Sequence, residues 1–234
     1  MSNYGKRRGS SEQPFFPKGE IDQICTDVLA AAGLLPSKPA PIRVERFVEK
    51  HFGVTPSYED TPDGVLGFTR FGAKGVEDIV LSKALDSDGS RVAERRIRTT
   101  IAHEAGHGLL HADLFGPSTA QSDFADFSQP QRPRILCRDI VEGEAPKTRR
   151  YDGRWWEFQA NQAIGGLLLP LSLVQSALEP FLVGGGLLGN RYLDEKRRGE
   201  AARTVSEAFD VNPQVAKIRI EQMFPQSNVA QLEL

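Results

Sequence analysis

The strongest constraint in this 234-residue chain is the stretch Ile101-Ala102-His103-Glu104-Ala105-Gly106-His107-Gly108-Leu109-Leu110-His111, which holds three of its four histidines. Residues four apart on a helix lie one turn along the same face, so His103 and His107 point together if this stretch is helical. The surrounding pattern predicts one helix from Ala93 to His111, opened by the turn Asp86 to Ser90, with Ser90 placed to cap it. Two imidazoles on one face suit a zinc ion, whose catalytic sites add a third protein ligand and keep a position open for water. Glu104 stands one residue after the first ligand, within reach of such a water without binding the metal. It is the candidate general base, taking the water's proton and passing it to a leaving amine. Ala105 and Gly106 are small and let another backbone approach. His111 falls two turns after His103 and drifts off the face. Three readings stay open for it: a ligand, a partner of a ligand, or an ordinary helix-end histidine. The competing reading of the whole motif is an accidental match in which Glu104 merely pairs with nearby arginines.

Composition sets the class. Hydrophobic content of 39%, charged content of 26% and a net charge of -2 are those of a soluble globular protein with no general pull toward nucleic acid. The length allows a substantial core. Cys25 and Cys137 lie far apart in sequence and form no metal-type pair, so both read as buried or part-buried thiols of a reducing compartment. Lys6-Arg7-Arg8 is followed by no apolar run, and nothing approaches the ~18 apolar residues of a membrane span. The expectation is a cytoplasmic protein with no membrane association.

Residues 1–18 read as a disordered leader. Ile21, Ile24, Cys25, Val28, Leu29 and Ala32 recur at helical spacing, with Gly33 as the stop. After a proline-rich joint, Val44, Phe47, Val48 and Phe52 mark a second helix ending at Gly53. Val54 to Tyr58, Val65 to Phe71 and Val76 to Leu81 read as strands, the last two forming a hairpin over Gly72-Ala73-Lys74-Gly75. Ile135-Leu136-Cys137 is a further strand candidate. A strong helical signal spans Trp155 to Leu169, stopped by Pro170, and Leu171 to Phe181 reads as a shorter helix. Val183 to Gly189 matches G-x-G-x-x-G but lacks the preceding strand and βαβ unit of a dinucleotide site, so it reads as a flexible loop. Asp194 to Phe209 and Pro213 to Phe224 read as two closing helices.

Candidates for the third ligand are Asp113, Asp123, Asp126, Glu142, Glu144, Asp152 and Glu157. Glu157 differs from the rest in sitting on the first turn of the strong helix, a rigid platform where the helix dipole also favours a carboxylate. Arg98-Thr99-Thr100-Ile101-Ala102-His103-Glu104-Ala105-Gly106-His107, with Glu157-Phe158-Gln159-Ala160-Asn161 and Leu167-Leu168-Leu169-Pro170, resembles the ImmA/IrrE family of gluzincin-like zinc metallopeptidases. That resemblance covers roughly residues 20–224. It implies that His103, His107 and Glu157 hold one zinc ion, that Glu104 is catalytic, and that Asn161 anchors the ligand helix. The implied fold is α+β and zincin-like: a small antiparallel sheet packed on the histidine helix, followed by a mainly helical C-terminal part. The domain expectation is a metallopeptidase domain over 19–182 and a helix-turn-helix-like segment over 183–234.

Two departures stand out. The span between His107 and Glu157 is longer than usual for the family, and Ile164-Gly165-Gly166 replaces better helix formers, which predicts a looser helix. Trp155-Trp156 matches no motif and reads as a hydrophobic lid over the ligand helix or as an aromatic wall beside substrate.

The resemblance implies an endopeptidase whose substrate is a helix-turn-helix repressor, cleaved to release stress or mobile-element genes. Val76 to Leu81 is the expected edge strand receiving an extended peptide. Tyr151, Arg154 and His111 are the candidate oxyanion stabilisers. One alternative is a zinc-binding regulator that acts by protein contact and cuts nothing. Another is a DNA-binding terminal helix pair. Against the latter, residues 210–234 carry only Lys217 and Arg219 as basic residues.

Overall fold

The histidine stretch lies inside one long helix, α3, Arg91–Phe115, which extends past both expected ends. Ser90 caps it, its Oγ accepting from the Ala93 N–H at 3.1 Å. The structure is a computed structural model describing residues 15–86, 89–115, 134–138, 155–185 and 190–225. The expected leader thus falls mostly outside the described residues. Among the described residues the fold is α+β: seven α-helices and a four-stranded mixed sheet, with a second two-stranded sheet.

Helices α1, Lys18–Ala31, and α2, Val44–Phe52, bury the apolar stripes that their sequences display. Left-handed Gly33 (φ 66°) and Gly53 (φ 74°) follow their ends, where a side chain would be strained. The sheet comprises β1, Ser57–Glu59, β2, Val65–Gly72, β3, Gly75–Ser82, and β4, Arg134–Arg138, in the order β1-β3-β2-β4.

Three expectations about strands need correction. The sheet is mixed rather than antiparallel: β1 lies on the far side of β3 from β2 and pairs with β3 in parallel. For the same reason Val76 to Leu81 is no edge strand: β3 is flanked by β1 and β2, and β1 and β4 take the edges. The first strand begins at Ser57 rather than Val54, since Pro56 has no N–H to give a ladder.

The sheet's two faces differ in character. Toward α3, Gly67 sits so close that an added Cβ would lie 2.8 Å from a Thr100 methyl, and Ile79 and Leu81 enter the main core. On the other face Val65, Phe68 and Val80 form a small second cluster. There Arg70 also ties three strands, pairing with Asp78 of β3 at 2.9 Å and Glu59 of β1 at 2.7 Å.

The remaining elements are α4, Trp155–Leu168, α5, Leu171–Leu178, a hairpin of β5, Leu182–Gly185, and β6, Asn190–Leu193, then α6, Arg198–Phe209, and α7, Pro213–Met223. The expected flexible loop therefore contains a strand at its start. Glycines mask its pattern, and its partner, which pairs Val183 with Tyr192, is supplied from the other side of residues 186–189. One apolar core runs from Ile21 of α1 through α3 and α4 to Ile220 of α7. Among the described residues no single helix is long and apolar enough to cross a membrane.

Candidate metal centre

Two helices build the site. Helix α3 carries His103, Glu104, His107 and His111, each no more than 1% exposed, and α4 crosses it with Glu157 on its first turn. The crossing is close because both helices are small at the contact. A Cβ on Gly106 would lie 2.8 Å from Ala163 Cβ and 3.2 Å from the Ala160 backbone, as the small pair Ala105-Gly106 led one to expect. On the next face of α4, Gly166 lies against Cys25 of α1, where a Cβ would stand 2.8 Å from Sγ. The glycines of Ile164-Gly165-Gly166 therefore serve close packing, and α4 runs unbroken through them. Burial, with Asp22 adding to it, pushes the Cys25 thiol up to about 12 and leaves it inert. The side chain of Cys137 lies outside the described residues.

His103, His107 and Glu157 converge as the one group of three metal-ligating side chains found among the described residues. His103 Nε2 and His107 Nε2 are 3.0 Å apart, and Glu157 Oε2 lies 3.3 Å from the first and 3.6 Å from the second. A tetrahedral ion with bonds of about 2.0–2.1 Å sets its ligand atoms roughly 3.3 Å apart, so the triangle has the size of one face of such a tetrahedron. Glu104 is outside this group. None of the other candidates belongs to it: Asp113 is described and lies elsewhere, while Asp123, Asp126, Glu142, Glu144 and Asp152 fall outside the described residues.

The electrostatics fit a cation. Burial lowers His107 to about 4 despite its contact with Glu157, so the ring is neutral near pH 7 with a lone pair to offer. Burial, reinforced by His107, lowers His111 to about 3. Burial opposes ionisation of Glu157, but the two imidazoles beside it outweigh that and hold its carboxyl well below the usual range. Glu157 Oε1 is buried and has no hydrogen-bond partner among the described residues. Two imidazole nitrogens and a carboxylate oxygen this close need a cation or a shared proton among them.

Outer partners complete the arrangement. Asn161 Oδ1 lies 3.1 Å from His103 Nδ1, one turn on from Glu157, so this residue contacts a candidate ligand. His107 Nδ1 lies 3.1 Å from His111 Nδ1, and His111 Nε2 lies 3.1 Å from Gln159 Oε1. His111 is thus the partner of a candidate ligand. With both ring nitrogens engaged inside the protein, it offers nothing to an oxyanion. Tyr151 and Arg154, the other two candidates for that role, lie outside the described residues. Trp155 packs its ring edge-on against His111 at 5.6 Å, and Trp156 packs edge-on against Trp155 at 5.8 Å.

Thr69 and Gln159 escaped the sequence reading. Thr69 is fully buried on β2 and its hydroxyl donates to Glu104 Oε2 at 2.7 Å, with the Glu104 carbonyl 3.1 Å away. Its only sequence signal is a polar residue at an inward position between Phe68 and Phe71. Gln159 is fully buried on an otherwise apolar helix face, a cue of the same kind. On α7, Arg219 points inward to Asp22 at 2.7 Å and to the Leu169 carbonyl at 3.0 Å, which leaves Lys217 as the exposed basic residue of that helix. Compared with models of known protein families and with curated proteins, the sequence matches neither.

Proposed function

We propose that this chain is a zinc-dependent endopeptidase of the ImmA/IrrE kind, with His103, His107 and Glu157 as the metal ligands and Glu104 as the catalytic base. The observation that carries the reading is the ligand triangle, 3.0 to 3.6 Å on a side, set beside a buried carboxylate that is not part of it. Two imidazoles with one carboxylate are a donor set that suits zinc. His103, His107 and Glu157 would hold the zinc, which when bound would supply an acidified water and Lewis-acid polarisation of a carbonyl.

The chain's own residues do the rest. Thr69 donates to Glu104 Oε2, which orients the carboxylate. Glu104 takes a proton from the attacking water and delivers it to the departing amine nitrogen, so one water is consumed and one peptide bond is broken. Asn161 and His111 hold the ligand rings in place from behind. The substrate class is a protein segment, and the resemblance points to a helix-turn-helix repressor. Extended substrate has no free edge on the side of β3 that pairs with β2, so any strand-like docking falls to an edge of the sheet.

The rival reading is a zinc-binding regulator that cuts nothing. Glu104→Gln separates the two. The variant retains one zinc per chain and loses cleavage of a co-expressed repressor by about 100-fold or more, the weight of a general base. Undiminished cleavage by the variant removes Glu104 from the mechanism. Regulation that survives in the variant without any cleavage favours the regulator.

A further inference from the structure

Beyond the ligands lies a buried polar chain with a direction. It runs from His107 Nδ1 to His111 Nδ1 at 3.1 Å, then from His111 Nε2 to Gln159 Oε1 at 3.1 Å, across two helices. Both His111 and Gln159 are fully buried, so water does not substitute for a missing partner in this chain. A neutral imidazole carries its proton on one nitrogen only, and two nitrogens facing each other need one proton between them. Gln159 turns Oε1 toward His111, while its Nε2 is buried with no hydrogen-bond partner among the described residues; in this orientation, opposite to the one in which Nε2 would donate, the amide accepts from His111. It therefore requires the His111 proton on Nε2, which leaves His111 Nδ1 bare. A bare His111 Nδ1 requires the His107 proton on Nδ1, which leaves His107 Nε2 bare and turned toward His103 Nε2 and Glu157. The opposite order sets two acceptors against each other at Gln159 and places a proton on His107 Nε2, where a cation would bind.

We propose that His111 and Gln159 are positioning residues that act as a pair: Gln159 selects the tautomer of His111, and His111 in turn holds His107 in its metal-binding tautomer. This rests on the metal-centre reading of His103, His107 and Glu157 and goes beyond it. Histidine ligands commonly donate their second nitrogen to a carboxylate or a carbonyl. Here a neutral histidine takes that place and the amide behind it does the selecting, so no further negative charge is buried beside Glu157.

The test reads the tautomer and the affinity separately. Imidazole nitrogen shifts of the uniformly 15N-labelled full chain, metal-free and zinc-loaded, report which ring nitrogen carries each proton. His111 is expected as the Nε2–H form in both states, and an Nδ1–H form overturns the proposal. Zinc affinity is measured by competition with a chromophoric chelator, with the thermal midpoint of each metal-free variant as the check on folding. His111→Phe is expected to weaken zinc binding by about 10–100-fold. His111→Asn, whose Oδ1 lies near the place of the ring Nδ1, is expected to restore most of that loss. Gln159→Glu, which can only accept when ionised, is expected to keep the His111 tautomer, whereas Gln159→Leu releases it. Wild-type affinity in a folded His111→Phe sinks the positioning role alone. A wild-type chain that takes up no zinc sinks the metal reading itself. If His111→Phe does not fold, the wild-type shifts decide.

Discussion

At the scale of single residues, the question is how Glu104, next to the candidate ligand His103, is held outside the proposed ligand group. Thr69 supplies the answer, with a 2.7 Å hydrogen bond from a strand to a helix side chain. Thr69→Val keeps the shape and removes the bond, leaving the Glu104 carboxylate short of one buried partner. Cleavage is expected to fall on the order of 10-fold, the equivalent of about 1.5 kcal/mol for a hydrogen bond to a charged group, with zinc content unchanged. Kinetics of Thr69→Val and Thr69→Ser on the same substrate check this, and Ser is expected to restore the rate. The members of the candidate cluster were legible in sequence because their signal is local: His103 and His107 stand one helical turn apart, and Glu157 opens a strongly patterned helix. Thr69 and Gln159 were not. Each matters through a contact with a residue 35 or 48 positions away, and no spacing rule announces such a contact.

At the scale of elements, the ligand triangle depends on how closely α3 and α4 approach. Gly106 sets that approach, since a Cβ there would stand 2.8 Å from Ala163 Cβ. Gly106→Ala is expected to push the helices apart, to cost about 1–3 kcal/mol of stability, and to weaken metal binding as Glu157 withdraws from the histidines. Gly199→Ala on α6 is the contrast. A Cβ there meets nothing within 4 Å, and the change is expected to be neutral or stabilising by up to about 1 kcal/mol. Denaturant unfolding of the two variants checks the pair.

A second joint ties α3 to the C-terminal helices. Asp210 follows α6 in the left-handed conformation (φ 51°), and Arg91, Arg95 and Arg98 of α3 converge on its carboxylate. Desolvation opposes its ionisation, but hydrogen bonds from Arg98, Arg91 and Arg95 outweigh it and hold the group at about 2, below its usual 3.8. A depressed acid stabilises the fold above its unfolded value and loses that contribution as the pH falls through the folded one. Asp210→Asn, which tolerates the left-handed backbone, is therefore expected to lower stability by about 1–2 kcal/mol near pH 7, with the difference from wild type closing between about pH 4 and pH 2. Chemical denaturation across that range is the measurement. A difference independent of pH contradicts the charge argument.

At the scale of the whole molecule, helices were easier to read than strands for a physical reason. A helix buries a stripe set by its own residues, and α1, α2 and α7 end close to where Gly33, Gly53 and Phe224 mark them. A strand's place depends on which neighbour it meets. The parallel pairing of β1 with β3 and the hairpin of β5 with β6 are decided by partners elsewhere in the chain. The edge-strand expectation for Val76 to Leu81 failed on that ground. The single core from α1 to α7 means that the site is supported by nearly every element, with α4 pressed between α3 and α1.

The central claim is that two histidines and a glutamate from two helices hold a zinc ion. X-ray absorption fine structure of the zinc-loaded protein tests it most directly. The account predicts one zinc per chain with two imidazole nitrogens at about 2.0–2.1 Å, carboxylate or water oxygen at about 2.0–2.2 Å, and no sulfur. A sulfur shell near 2.3 Å, or a shell without imidazole scattering, would contradict it.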